Sequence, residues 1–431
     1  MNIQELYQIF LQHPKVQTDT RKIQQGEIFF ALKGENFNGN LFASAAFEKG
    51  AVAVVVDEDP GFKDSRIILT DNVLKTLQDL AKYHRKQLNI PVLAITGSNG
   101  KTTTKELIHA VLSSHYKTYT TEGNLNNHIG IPLTLLKIKK DAEIAVVEMG
   151  ANHQREIAGY CDYVLPTHAL INNVGKAHLE GFGGLEGVKK GKGELYDYIR
   201  ASGGTVFINN DLDYLRELST GIKNLFTYGS ENAQVTGILI RSEPYLEVKI
   251  NQPEVIGTIA TQLVGNYNTP NVLAAVAVGI YFKVSTDKIK EAIEHYQPSN
   301  SRSQLIKWES NEIILDAYNA NPTSMKAAIE NFAARSGTDK VLMLGAMAEL
   351  GEESVGEHRQ IVELIGKYKW KAVVLVGGDF RLVHKTYSFF KDSEEAADWF
   401  NHQDFERSAI LIKGSRSSKM EKIISKLTIA N

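Results

Sequence analysis

The chain has 431 residues, 43% hydrophobic and 23% charged, a globular composition with length enough for two or three domains. Its 48 basic and 50 acidic residues leave a formal net charge of -2, which excludes a global field drawing the whole chain to nucleic acid or an anionic membrane. The one cysteine, Cys161, excludes an internal disulfide and reads as a buried small hydrophobe in a reducing compartment.

In chain order, MNIQELYQIFLQHP predicts an amphipathic helix rather than a signal peptide, and a cytoplasmic location is expected. The apolar runs IFFAL and AVAVVV, separated by the glycine-rich KGENFNGN, predict a small mixed α/β unit between Glu27 and Val56. A helical pattern through Leu74, Leu77, Leu80 and Ala81 ends before Pro91, so the first domain is assigned residues 1–88. The second, residues 89–300, opens with VLAIT from Val92. A helix follows with Leu107, Ile108, Val111 and Leu112 on one face, and then the runs IAVVEM and HALINNV. Continuous apolar strands alternating with helices predict a parallel sheet covered on both faces. VLAAVAVGIYF from Val272 is 11 residues long, short of the roughly 20 that cross a membrane, and reads as a buried helix. After QPSNSRSQ the strands EIILDAY, KVLMLGAM, AVVLVGG and AILIKGS predict an open sheet over residues 301–431. The last three run into glycine, as ligand-shaped loops at strand ends do. The predicted fold class is α/β in three domains: a small N-terminal unit, a central parallel-sheet domain and a C-terminal Rossmann-like open sheet.

ITGSNGKTTTKE, residues 95–106, follows a strand and opens a helix, so loop amides and the positive end of the helix dipole converge on one point. Lys101 would neutralise β- and γ-phosphates there and the Thr102 hydroxyl would ligate Mg²⁺. The full phosphate-loop pattern places a glycine where this chain has Ile95; the strand-turn-helix context favours a shortened nucleotide loop over a chance helix start. Glu148 ends the strand IAVVEM, as a second metal-binding carboxylate would, or as a solvated strand-end acid. His178 and Glu180 sit in NNVGKAHLEGFGG, where a lone histidine reads first as structural. Lys189, Lys190, Lys192 and Glu194 read as a solvated basic face near a helix start. In GNYNTPN, residues 265–271, asparagine caps a helix or reads an adenine edge. Asn321-Pro322-Thr323 is helix-start chemistry, whereas capping does not explain Asp316 at a strand end.

TGSNGKTTT, VVEMGA, NVGKAHLEGFGG, KGE at Lys192 and GNYNTPN occur in the order seen in the Mur ligases, and the chain resembles that family of ATP-dependent, amide-forming enzymes of peptidoglycan precursor synthesis. The family uses the short phosphate loop, so Ile95 conforms to it. DAYNANPTSM, LGAMAELGEESVGEHR and KGSRSSKME resemble the members that join D-alanyl-D-alanine to UDP-N-acetylmuramoyl-tripeptide. TDTRKIQQGEIFFALKGENFNGNLF is similar to their UDP-binding domain. Ala346 departs from the pattern, which often has an acid there.

The resemblance implies that ATP activates the substrate carboxylate as an acyl phosphate, which the incoming amine attacks. It implies catalytic roles for Lys101, His178 and a carbamylated Lys192, with Gly97, Asn99, Gly100 and Thr103 completing the phosphate loop. Thr102, Glu148, His178 and Lys192 would serve two Mg²⁺ ions. Asn268, Asn271, Asn319 and Asn321 would lie about the adenine, with Arg302 and Asp316 near ribose and phosphates. Thr20, Arg21, Asn36 and Asn38 would contact uridine diphosphate, Asn126 and Asn127 the muramoyl peptide, and Ser415 and Arg416 the dipeptide. No nucleic acid and no membrane insertion are implied. A monomer is expected, open in isolation, with flexible links near residues 88 and 300, and closing on ATP to exclude water.

Overall fold

The computed structural model describes residues 2–298, 301–337, 339–425 and 427. Its three larger sheets follow one another along the chain, and a two-stranded ribbon, Lys33–Gly34 with Phe37–Asn38, lies in the first part. In the first, the parallel strands Val16–Gln17, Ile28–Phe30, Ala53–Val56 and Ile67–Leu69 lie side by side in sequence order. Alternation along these strands sends Phe29, Val54 and Val56 to one face with Ala43 and Ala46. Ile28, Phe30 and Val55 face the opposite way, toward Leu6, Phe10, Leu77 and Leu80. The opening helix, Ile3–Gln12, begins with a reciprocal capping box between Asn2 and Glu5.

The loose link expected near residue 88 is a packed joint. Helix Val73–Lys86 lies against central-domain helices Gly130–Lys137 and Glu156–Val164, and two of its polar residues are buried in the seam. Arg85, 6% exposed, donates from Nε to Val164 O at 3.0 Å and from Nη1 to Leu88 O at 2.7 Å. Its Nη2 reaches Leu165 O at 3.2 Å and Ile90 O at 3.3 Å. His84 lies 2.7 Å from Ile138 O through Nε2 and 3.0 Å from the Tyr7 hydroxyl through Nδ1. A carbonyl only accepts, so Nε2 carries the proton, and burial lowers the ring's pKa in favour of this neutral form. Arg85→Ala would leave several buried carbonyls unpaired. We expect it to cost about 3 kcal/mol of unfolding free energy, read as a lower urea midpoint. Residue 300, the other expected link and the end of the second predicted domain, lies outside the described residues.

The central sheet has nine strands. From one edge they run Thr258–Ala260, Glu247–Gln252, Val235–Arg241, Asn224–Gly229, Thr205–Asn209, His168–Ile171, Val92–Thr96, Ile144–Glu148 and Thr118–Thr120. All pairings are parallel except the two at the first edge, an antiparallel extension that apolar runs did not reveal. Leu93 and Ile95 pack with Leu107, Val111 and Val272 on one face, whereas Val92 and Ala94 meet the other core, which holds Ile157, Leu195 and Tyr196. Burial on both faces is why these strands read as unbroken apolar runs. Cys161 is fully buried, as expected, and burial pushes its thiol pKa upward.

In the third sheet the order is Gln304–Trp308, Asn311–Asp316, Ala409–Lys413, Lys340–Gly345, Ala372–Val376 and Ser388–Phe390, parallel except for the first strand. The C-terminal ends of Asn311–Asp316 and Ala409–Lys413 point at the central sheet's loops, and a cleft lies between them. No helix among the described residues is long and apolar enough to cross a membrane.

Candidate active site

The turn after Val92–Thr96 needs glycine twice. Gly97 has φ 146° and Gly100 φ 76°, and a Cβ on Gly100 would stand 2.8 Å from Asn271 Oδ1. The loop after His168–Ile171 braces the turn: Ser98 N donates to Asn173 O at 3.0 Å and Asn99 N to Asn173 Oδ1 at 2.9 Å. Gly100 then caps helix Lys101–Ser113. Lys101 folds back over the turn, Nζ to Gly97 O at 2.7 Å, while still opening onto the cleft. Desolvation lowers its pKa, Glu148 opposes that shift and Arg302 adds to it.

Thr102 Oγ1 donates to Glu148 at 3.0 and 3.2 Å, and both residues are buried. Asn126 Nδ2 holds the same carboxylate at 2.8 Å. Glu148 N donates to Thr121 Oγ1 at 2.9 Å, and the buried Lys105 binds Thr121 O at 2.7 Å. A hydroxyl and a carboxylate, oxygen donors both, suit a hard cation. Among the described residues no three His, Cys, Asp or Glu side chains converge on a metal position. The donor set therefore fits Mg²⁺, which keeps several ligands from phosphate and water, better than a metal caged wholly by protein.

The basic-face reading fails for Lys192. Helix Leu185–Ser202 leaves Lys190 exposed, but turns Lys192 inward to 1% exposure. Its Nζ donates to Ala151 O at 3.0 Å and lies 5.0 Å from the Phe182 ring centroid. Desolvation first, and the Lys101 charge second, push its pKa well below the ordinary lysine value, with Glu156 and Glu194 opposing. Glu194 instead receives Arg155 N and Ala158 N at the start of helix Glu156–Val164. His178, at φ 54°, brings Nδ1 within ion-pair reach of Glu349 from the third domain, and that contact holds the Glu349 carboxyl below its usual range.

Across the cleft, Asp316 accepts from Lys413 Nζ at 2.5 Å and Ser303 N at 3.3 Å. The Arg302 guanidinium stacks 3.5 Å from the Tyr318 ring centroid. Asn321 Nδ2 donates to Asn99 Oδ1 at 2.8 Å, joining the third domain directly to the phosphate loop. Asn319 Oδ1 accepts Ala320 N at 2.9 Å. Asn271 is engaged at both ends, Nδ2 to Asn268 Oδ1 at 2.8 Å and Oδ1 from Thr104 Oγ1 at 3.0 Å. Its amide braces the loop instead of facing a base freely.

The cleft, ≈ 660 Å³, brings together Asn99, Gly100, Lys101, Thr102, Thr103, Asn126, Asn127, Glu148, His178, Asn268, Asn271, Arg302, Asp316, Asn319 and Asn321. Gly97 and Lys192 are outside its wall, the latter beyond the wall residue Ala151. Thr20 and Arg21 sit in the 3-10 turn Thr20–Lys22, and Asn36 and Asn38 in the two-stranded hairpin of Lys33–Gly34 with Phe37–Asn38; none of the four lines the cleft. There Arg21 pairs with Asp19 and Asn38 Nδ2 donates to Glu58 at 2.7 Å. Ser415 is buried with Oγ on Ala346 O at 2.6 Å, and exposed Arg416 lies 5.5 Å from the Tyr318 ring centroid. Lys413, Tyr318, Tyr267 and Glu156 line the cleft and were missed. For Lys413 there was a signal: a lysine closing a strand beside Gly414, in a sheet already read as ligand-shaped.

Residues 15–95 match the Mur ligase family catalytic domain, 95–279 the Mur ligase middle domain and 301–416 the Mur ligase glutamate ligase domain. The UDP-N-acetylmuramoyl-tripeptide--D-alanyl-D-alanine ligase of Bacillus subtilis is 35% identical over 425 residues, 96% of this chain and 92% of the relative. A crystal structure of MurF from Acinetobacter baumannii superposes with a TM-score of 0.88 at 30% identity, covering 99% of this chain and 98% of that one. The MurF ligase of Thermotoga maritima in complex with ADP gives 0.85 at 26% identity, over 96% and 97%. Three consecutive family domains, with near-complete coverage at this identity, establish that the chain belongs to the Mur ligase family.

Proposed function

We propose that this protein is an ATP-dependent ligase joining D-alanyl-D-alanine to the terminal carboxylate of UDP-N-acetylmuramoyl-tripeptide to give UDP-N-acetylmuramoyl-pentapeptide. The observation that carries the reading is one cleft holding a phosphate loop, the Thr102–Glu148 pair and the Asp316–Lys413 pair of a second domain, in a chain 35% identical to a ligase of that name. A carboxylate oxygen attacks the γ-phosphorus and ADP leaves; the dipeptide amine then attacks the acyl carbon, and phosphate leaves as the amine loses its proton. Both encounters bring anions together or separate charge, so the site must supply positive charge and exclude water.

In this reading Lys101 and the Gly100 amide draw charge from the transferring phosphoryl, on a turn shaped by Gly97 and Asn99. Thr102 and Glu148 would hold one Mg²⁺ ion, and His178 with a carbamylated Lys192 would hold a second. Bound Mg²⁺ would contribute Lewis-acid neutralisation of phosphate charge. Asn268, Asn319 and Asn321 lie about the adenine, with Arg302 and Asp316 toward phosphate and ribose. Thr20, Arg21, Asn36 and Asn38 bind uridine diphosphate on residues 1–88, Asn126 and Asn127 the muramoyl peptide, and Ser415 with Arg416 the dipeptide end. The enzyme works as a cytoplasmic monomer.

The test is phosphate release from ATP and Mg²⁺ with UDP-muramoyl tripeptide, with and without D-alanyl-D-alanine, the product identified by mass. Release requiring both substrates and yielding the pentapeptide supports the assignment. Release with other amine donors, or none with these, withdraws the substrate and leaves the family.

A further inference from the structure

We infer that Lys176 and Glu357 are positioning residues for the ligase reaction: their ion pair seats the third domain on the loop that braces the phosphate turn. The inference rests on the ligase reading for its activity readout, but its geometry is independent of it. Lys176 lies in the loop between strand His168–Ile171 and helix Leu179–Phe182, and Glu357 on the first turn of helix Ser354–Ile365 in the third domain. Their Nζ and Oε1 are 2.5 Å apart, with the carboxylate side chain 6% exposed and the lysine side chain 38% exposed.

The same short stretch is fastened on both sides. Gly175 N donates to Ser98 Oγ at 2.9 Å, and that hydroxyl donates back to Gly175 O at 3.0 Å. One residue on, Lys176 N donates to Thr323 Oγ1 at 3.0 Å, on the first turn of helix Pro322–Ala334. A Cβ on Gly175 would come 2.9 Å from that oxygen, so the two domains meet here at backbone distance. Hydrogen bonds therefore tie Ser98 of the phosphate turn to Gly175, and the next residue, Lys176, is tied to Thr323 and Glu357 of the third domain. Asp316 and Lys413, which face the cleft from that domain, are positioned only when it is seated. A nearly buried carboxylate leaves its partner at high cost, so the pair discriminates seated from unseated arrangements more sharply than an exposed pair would.

The experiment compares Lys176→Glu, Glu357→Lys and the double swap, with Lys176→Gln and Glu357→Gln as milder variants, in the full chain. Two quantities are read: kcat and KM for ligation, and the radius of gyration by small-angle scattering with a non-hydrolysable ATP analogue and Mg²⁺. Each reversal is expected to lower kcat about tenfold with KM changed less, and to leave the scattering radius larger than that of the wild type. The swap should restore both within about threefold. If the swap does not fold, the glutamine variants decide, with a drop in kcat of several-fold and the same expansion expected. Singles with wild-type kcat and compaction, a loss confined to KM, or a folded swap as impaired as the singles would each overturn the inference. A wild-type protein that compacts on nucleotide yet ligates nothing would remove the ligase reading and leave the seating contact standing.

Discussion

Lys101→Met is expected to lower the rate of pentapeptide formation about a thousandfold while leaving the protein at least as resistant to heat as the wild type. The rate argument follows from where the ammonium stands. It is held 2.7 Å from Gly97 O over a turn whose glycines and bracing loop leave the backbone close to whatever occupies the cleft. Charge that grows on a transferring phosphoryl is met there by a cation that needs no reorganisation. The stability argument has the opposite sign. Desolvation lowers the folded-state pKa of Lys101, so folding at neutral pH works against its charge, and that penalty is present below the lowered pKa and fades as pH rises through it. Methionine fills a similar volume without the charge and removes the penalty. Arginine is not a conservative alternative, because its planar fork does not fit a site built around one point charge against a carbonyl. Thermal melts beside phosphate-release assays check both halves; a variant that melts earlier yet keeps its rate would refute the account of this lysine.

That opposition between burial and function also explains what could be read from the chain. VLAIT, IAVVEM and HALINNV announced a parallel sheet because each strand is sealed on both faces, leaving no polar alternation to confuse the pattern. The glycine-lysine turn was legible because strand, turn and helix are contiguous in sequence. Glu148 was legible for the same reason, as an acid at the end of an apolar strand. The hairpin of Val235–Arg241 with Glu247–Gln252 was not, since its strands mix polar and apolar residues and half its surface is open. Lys192 illustrates the harder limit. Lys189, Lys190 and Lys192 are chemically alike, and only the rotation of one helix against Phe182 and Ala151 decides which is buried. Arg85, His84, Lys176 and Glu357 act between segments far apart in sequence, and no local period marks such pairs. Family resemblance supplied Lys192; it did not supply the joints.

For Lys192 itself we expect activity to fall when dissolved CO₂ is removed and to return on adding bicarbonate, and Lys192→Ala to lose about a hundredfold or more in kcat whatever the bicarbonate level. An amine adds CO₂ only in its neutral form, and ordinary lysine is almost wholly protonated at neutral pH. Here burial and the nearby Lys101 charge both disfavour the cation and shift the balance toward the neutral, reactive amine. Addition would turn a cation that repels Lys101 into an anion that attracts it, and would place a carboxylate-like group behind Ala151; among the described residues no three His, Cys, Asp or Glu side chains converge on a metal position without it. The amine donates to one carbonyl, that of Ala151, a partner that a carbamate N–H can retain. Carbon NMR after growth or incubation with labelled bicarbonate should show one carbamate signal, absent from Lys192→Ala. Full activity in that variant, or in wild type stripped of CO₂ with no labelled signal, would mean that the buried amine serves only to pack against Phe182, and that any metal is organised by Thr102, Glu148 and His178 without it.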